Sequence, residues 1–415
     1  MTTYYRTRSL LFILLAATLV IAGENPDKKL DFQLVESVPV ETVLGIPETG
    51  RTLPVWLKMI SGAQKSIDIE TFYFSNKAGE PLEKVVRALE AAAGRGVQVR
   101  ILSDGKFYKI YPRTLDRLNH SANIQVRILN FFDKTGGVLH AKYFVVDGRT
   151  VFLGSQNFDW RSFKHIHELG IRITHPKLAA LILRVFNYDW KLAAQPEIPT
   201  PPAFSPVPPQ LRITPLHPLK LYREGSPVEI YPTFSPPNSV PLKLENDEHA
   251  LLKLIRNARK EIFIQLLTYN PFSHHTYYDA IDVALRRAAA RGVQIKLLVS
   301  DWNKRKPGVY YLQSLETLPN IEVKFSTIPP FSGGFVPFSR VEHCKFMVVD
   351  SNLSWIGTAN WAREYFYQSR NLGLVIKSRE INRLIRKVFR RSWTANYAYP
   401  VNPAAHYAPP RISGK

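Results

Sequence analysis

The stretches HAKYFVVD, residues 140–147, and HCKFMVVD, residues 343–350, each place a lysine two residues after a histidine and an aspartate five residues further on. Both are β-branched and aromatic runs that read as strands, in which side chains at i and i+2 share a face. His140 therefore stands beside Lys142, and His343 beside Lys345. One such pattern among 11 histidines would be weak evidence, but each copy is also followed by an asparagine, Asn157 in GSQN and Asn360 in GTAN, at the same spacing. If the two sets meet across a pseudo-twofold axis, two imidazoles, two ammonium groups and two amides converge on one pocket. That set suits a phosphodiester: one histidine attacks phosphorus while the other, protonated, donates to the leaving oxygen. Lys142, Lys345, Asn157 and Asn360 would hold the non-bridging oxygens and stabilise the pentacovalent transition state. Water then releases the phosphohistidine, with the second histidine acting as base. This chemistry calls for no metal and no cofactor.

The elements that must position these residues occur twice. GVLHAKYFVVDGRTVFLGSQNFDW aligns with SRVEHCKFMVVDSNLSWIGTANWAR at an offset of 203 residues, and LGIRI at 169 and VFNYDW at 185 keep that register with LGLVI at 372 and VFRRSW at 388. Upstream, SIDIETFYF at 66 and RGVQVRIL at 95 pair with EIFIQLLTY at 261 and RGVQIKLL at 291, at an offset of 195 or 196. WLKMISGAQK and LLKLIRNARK have helical spacing. PLEKVVRALEAAAGRG and YDAIDVALRRAAARG read as alanine-rich amphipathic helices closed by a glycine cap. Strands alternating with helices predict an α/β fold with a mixed sheet in each half. The expected organisation is a first lobe over 24–193, a proline-rich surface linker over 194–220, a second lobe over 221–397 and a C-terminal tail over 398–415.

With 415 residues and 45% apolar composition, the chain buries a large core and is not disordered. Its formal net charge of +21 favours polyanionic partners, either nucleic acid or an anionic membrane surface. Arg6 and Arg8 precede the apolar run Leu10–Ala22, so residues 1–23 read as a secretory signal, with a retained membrane anchor as the alternative. An exported, secreted or periplasmic protein is expected. Cys344, the single cysteine, excludes an intramolecular disulfide; on the opposite strand face from its neighbours, it reads as small apolar packing.

The paired HxKxxxxD motifs, together with LVESVP at 34, FLGSQNFDWRSFKHIHELG, IGTANW and YF at 365, resemble the phospholipase D superfamily. The closest resemblance is to the branch of animal lysosomal 5′-exonucleases and poxvirus envelope and nicking-joining proteins, over nearly all of residues 32–397. It implies a single-chain bilobal fold and a two-step, metal-independent phosphohistidine mechanism carried by His140, Lys142, Asp147, His343, Lys345 and Asp350. Asn157 and Asn360 would bind phosphate. Within that set the two aspartates position their motif loops rather than touch substrate. Glu168 stands where superfamily members carry a carboxylate that orients the histidine, and its counterpart in the second half is Asn371. On that basis His140 is expected to be the nucleophile and His343 the acid. One chain supplies both half-sites, so a monomer suffices, and a homodimer is compatible with the same reading. The chain lacks the several cysteines of its animal relatives, which fits a bacterial-type exported protein equally well.

The same pocket serves nucleic acids and lipids, so the substrate needs separate evidence. Single-stranded nucleic acid is favoured by the charge and by KFYKIYPR at 106 and DWNKRKPGVYY at 301, where basic residues alternate with rings that stack on bases. A phospholipase or transphosphatidylase at a membrane is the alternative, with PPFSGGFVPF at 329 as an apolar lid or wall. A silent binding or envelope-type protein is a third reading, opposed by the intact motifs. His165, His167 and the pair at 274–275 read as loop or helix-face residues, because no cysteine or carboxylate completes a metal set around them.

Overall fold

A computed structural model describes residues 29–195, 204–240, 244–273 and 276–414. The expected export signal, residues 1–23, lies outside the described residues. Among those described, no helix is long and apolar enough to cross a membrane.

Seven strands of the first half, with the two-residue strands Gly50–Arg51 and Val341–Glu342, make a nine-stranded mixed sheet; the seven are β1 (Asp31–Ser37), β2 (Ser66–Thr71), β3 (Gln98–Asp104), β4 (Ile124–Leu129), β5 (Lys142–Val146), β6 (Thr150–Gly154) and β7 (Ile166–Thr174). Their order is β1-β7-β6-β5-β2-β3-β4, with β2, β3 and β4 parallel and the remaining pairings antiparallel. The second half repeats this with β8 (Ser226–Ser235), β9 (Glu261–Leu266), β10 (Gln294–Ser300), β11 (Ile321–Ser326), β12 (Lys345–Val349), β13 (Leu353–Gly357) and β14 (Asn371–Lys377), in the order β8-β14-β13-β12-β9-β10-β11. The expected α/β duplication with mixed sheets is therefore the fold.

The helices follow the apolar spacing. Helices α1 (Thr52–Ser61) and α2 (Leu82–Gly94) bury Trp56, Ile60, Val85 and Leu89 against one face of the first sheet. Helices α3 (Arg113–Asn119) and α4 (Pro176–Ala193) complete that half. Helices α5 (Asp247–Asn257), α6 (Ala280–Ala290), α7 (Gly308–Glu316) and α8 (Arg379–Trp393) are the second set. Asn246 caps α5 and Ser378 caps α8, each side chain accepting first-turn amides. The largest apolar cluster lies between the sheets, where Tyr143, Leu153, Phe186 and Trp190 join Phe346, Leu374, Ile385 and Phe389. One core thus spans both halves and fixes their relative position.

Two terminal expectations need correcting. Of the stretch read as a surface linker, residues 196–203 lie outside the described residues, but Val207 and Ile213 are buried in the shared core. An edge strand, Leu219–Arg223, also begins before the expected boundary at 221. Its prolines interrupt regular structure without preventing apolar side chains from docking. The stretch read as a tail also packs: Ala398–Pro400 pairs antiparallel with β11, and Val401 and Ile412 are buried.

Candidate active site

Both motifs end in a left-handed residue, Asp147 at φ 53° and Asp350 at φ 49°, where the chain turns from β5 to β6 and from β12 to β13. Aspartate tolerates this region because its short polar side chain finds backbone partners. Asp147 accepts from the amides of Gln64, Lys65 and Ser66 at 2.7–3.2 Å, and Asp350 from those of Arg259, Lys260 and Glu261 at 2.8–3.3 Å. Each aspartate pins its motif hairpin to the start of the neighbouring strand, and neither lines the pocket that holds the histidines. Gly154 brings β6 close to Gly170 of β7: a Cβ there would lie 2.6 Å from the Gly170 Cα. That close approach carries the chain round to Asn157.

His140, Asn157, His343 and Asn360 open on one cavity of ≈ 430 Å³ between the halves. Beyond these four the cavity's walls are mostly rings and apolar side chains, with Arg161 the charged exception: Phe72, Tyr73, Phe107, Tyr111, Trp302 and Tyr365 line it, with Phe338 from the loop before the second motif. Tyr73 stacks on Phe107 and Tyr111, with centroids 5.5 and 5.3 Å apart. Phe72 and Tyr365 pack edge-on against His140. Of the two aromatic-basic clusters read from the sequence, the first supplies Phe107 and Tyr111 and the second only Trp302. Sequence reasoning missed Phe72 and Tyr73 as wall residues; their position just past the end of β2, beside a motif strand, was the available signal.

Lys142 and Lys345 are fully buried and donate to the carbonyls of His140 and His343, at 2.7 and 2.9 Å. Each bond folds the lysine back under its own histidine. Burial pushes His140 well below the usual imidazole range, and the charges of Lys142 and Lys345 add to the effect. His343 moves the same way through burial, then Lys345 and Lys142. Burial also lowers both lysines, Lys345 to about 7 despite the nearby Glu168. Four basic groups crowded into one buried site disfavour one another's charged forms, which an anion would favour again.

The expected partner of Glu168 is corrected. Glu168 does not back His140; its Oε1 lies 2.7 Å from Nδ1 of His343, an ion-pair approach out of line for a hydrogen bond. His140 instead places Nδ1 3.0 Å from Oδ1 of Asn371. The cause is strand pairing across the halves: β7 runs parallel to Val341–Glu342, and the His343 amide donates to the His167 carbonyl at 2.9 Å. On the other side the His140 amide donates to the Arg370 carbonyl, also at 2.9 Å. Each histidine is thus oriented by the opposite half.

Of His165 and His167, the first is the expected loop residue, in a turn, and the second departs from expectation. His165 lies buried just before β7, and His167 is a wholly buried residue of β7 rather than a loop or helix-face residue. Its Nε2 is 3.0 Å from Glu36 and its Nδ1 is 2.7 Å from Glu342. Cys344 packs in the shared apolar core, as expected, and its Sγ also lies 3.8 Å from the same Nδ1, at the edge of this polar cluster. The carboxylates that seemed missing arrive from β1 and from the approach to β12. The pair at 274–275 lies outside the described residues.

The model of a cardiolipin synthase, PLD-like domain matches residues 56–190 and 251–393. The chain is 31% identical over 413 residues to the mouse 5'-3' exonuclease PLD4, covering 91% of this chain and 80% of that protein. It is 32% identical over 388 residues to Phospholipase D Z of Dictyostelium discoideum, covering 89% and 90%. The structure of phosphatidylserine synthase from Haemophilus influenzae superposes with a TM-score of 0.61 at 13% identity, over 89% of this chain and 87% of that one, and so shares the fold. With both motif sets converging on one cavity and the domain matched in each half, the chain belongs to the phospholipase D superfamily.

Proposed function

We propose that this phosphodiesterase cleaves single-stranded nucleic acid through a phosphohistidine formed on His140, with His343 as the general acid. The observation that carries this reading is one cavity in which two histidines face a wall of stacked rings, within a chain of net charge +21. The charge draws a polyanion, and each ring offers a base a sequence-tolerant stacking surface worth about 1–3 kcal/mol. The mouse relative bears the name of a 5'-3' exonuclease, which supports the same choice.

Roles follow from the partners. Asn371 Oδ1 accepts from His140 Nδ1–H, which leaves Nε2 with a free lone pair for attack on phosphorus. Burial raises the Glu168 carboxyl and lowers the His343 imidazole, so both groups are pushed toward their neutral forms while the pocket is empty. An entering phosphate favours the imidazolium form of His343, which then protonates the leaving hydroxyl. After departure the same histidine, now neutral, takes a proton from water as that water displaces His140 from phosphorus. Lys142, Lys345, Asn157 and Asn360 hold the non-bridging oxygens, the part a metal plays elsewhere. The neutral partner is what supports His140 as the nucleophile in this reading, in place of the carboxylate expected from the sequence.

A second reading, hydrolysis or exchange of phospholipid headgroups, rests on the apolar rim. Ile110, Phe335 and Phe338 are exposed near the cavity, suited to resting on a membrane surface. A side-by-side assay in EDTA on end-labelled single-stranded DNA and on phosphatidylcholine and phosphatidylglycerol vesicles separates the two. Nucleotide release that survives chelation and disappears in His140→Ala and His343→Ala is the expected result. Headgroup release alone would overturn the nuclease reading.

A further inference from the structure

Immediately before each residue that backs a histidine stands a buried cationic side chain that reaches into the opposite half. Before Asn371 it is Arg370, whose guanidinium meets both oxygens of Asp189 in α4 at 2.7 and 2.8 Å and also donates to the carbonyls of Ser235 and Ser239. The same position 203 residues earlier, before Glu168, is His167. Its imidazole is gripped by Glu36 and Glu342, with Arg51 3.2 Å away on the outer side of Glu36. The repeat register shows that the partners were exchanged, not copied. Glu70 and Asp189 around the arginine correspond to Gln265 and Ser392 around the histidine, while Glu36 and Glu342 correspond to Phe234 and Leu139. The arginine's carboxylates both come from the opposite half, whereas the histidine draws one from each half.

The histidine clamp brackets His343. Its carbonyl accepts from the His343 amide, its Nδ1 bonds Glu342 on one side, and Cys344 on the other donates to the Glu342 carboxylate through its amide at 3.1 Å. We propose that His167, held by Glu36 and Glu342, is a positioning residue for the acid step, fixing His343 and Glu168 in register so that a proton reaches the leaving oxygen. The proposal rests on the phosphodiesterase reading above. The groups facing the imidazole are Glu36 of β1, Glu342 and Cys344 beside the second motif, Gln265 of β9, and Tyr397. Burial works against its charge, but Cys344 and Glu342 hold His167 well above the usual imidazole range. The clamp is therefore charged when the site works.

Leaving-group chemistry separates positioning of an acid from general damage. Two diesters sharing one phosphorylated nucleoside are compared, one releasing p-nitrophenolate, which leaves without a proton, and one releasing a nucleoside hydroxyl, which needs one. For His167→Gln, kcat/KM on the second should fall about tenfold or more, part of the range a general acid supplies, while the first stays nearly unchanged. Glu342→Gln, which keeps the imidazole, serves if His167→Gln does not fold, and should show the same split in milder form. Arg370→Lys is the mirror control, acting through Asn371 on His140 and lowering both esters alike. Equal losses on the two esters, or none, in the His167 and Glu342 variants would overturn the clamp. Inactivity of the unaltered protein on both esters would overturn the phosphodiesterase reading and the clamp with it.

Discussion

The two halves of the site share a backbone plan and differ in where they keep a proton. His140 faces the neutral amide of Asn371, and the strand behind it is anchored by Arg370, a cation that cannot titrate in the working range. His343 faces the carboxyl of Glu168, and the strand behind it is anchored by His167, a cation that can. A duplicated scaffold thus supplies matched geometry, and single substitutions at corresponding positions give its two histidines different partners, which is the basis of the proposed nucleophile and acid sides. Burial alone would treat the two histidines alike; their partners make them different.

The sharpest way to break this comparison is to remove each histidine and vary the leaving group. His140→Ala should abolish turnover of both diesters. His343→Ala should cost about 10²–10⁴-fold on the nucleoside leaving group, the range of a lost general acid, and much less on p-nitrophenolate. Similar profiles for the two variants would remove the assignment of sides.

The anchors come next. Arg370→Met removes the buried ion pair of Asp189, and His167→Gln removes that of Glu342 while Glu36 keeps Arg51, so each should cost about 3–5 kcal/mol in thermal or denaturant unfolding. Their pH dependences should differ. The pKa of His167 is raised in the folded protein, so its stabilisation is complete below the unfolded imidazole value of about 6.5 and is lost as pH rises through the folded value. The unaltered protein should therefore lose stability on the alkaline side. His167→Gln should flatten that limb and Arg370→Met should leave it in place.

Asn371→Asp would make the two sides alike. A carboxylate 3.0 Å from Nδ1 of His140 should raise its pKa by about one unit or more, keep the nucleophile protonated in mild acid and move the acid limb of kcat/KM upward. An unmoved limb would mean that Asn371 does not govern His140. The smallest effect is expected where the halves are most alike. Asp147→Asn and Asp350→Asn should each cost about 1.5 kcal/mol of stability, through lost charge on a triple amide acceptor, with KM nearly unchanged. Unequal costs would show that the motif aspartates have diverged too.

Much of this was legible in the chain itself. The period-2 alternation of HAKYFVVD and HCKFMVVD placed each histidine with its lysine, and the offset of 203 residues revealed the duplication that brings the motifs together. The partner of Glu168 was not legible, because proximity in sequence pointed to His140 while strand pairing across the halves delivered it to His343. His167 was misread for the same reason: its carboxylates lie 131 and 175 residues away along the chain. The proline-rich stretch misled because proline forbids ladder bonds without forbidding burial, as Val207 and Ile213 illustrate. Long-range pairing is set by the packed core, which local spacing does not encode.

The crossed support of the histidines also bears on when the protein becomes active during its synthesis. Asn371, which orients His140, lies in the second half, and Glu168 waits for His343 until the second motif has been made. A ribosome that has released only the first half has produced a histidine without its orienting amide and a carboxylate without its imidazole. Competence therefore arrives in one step, after both halves have emerged and the shared core has closed. A truncated message yields an inert fragment rather than an unregulated phosphodiesterase.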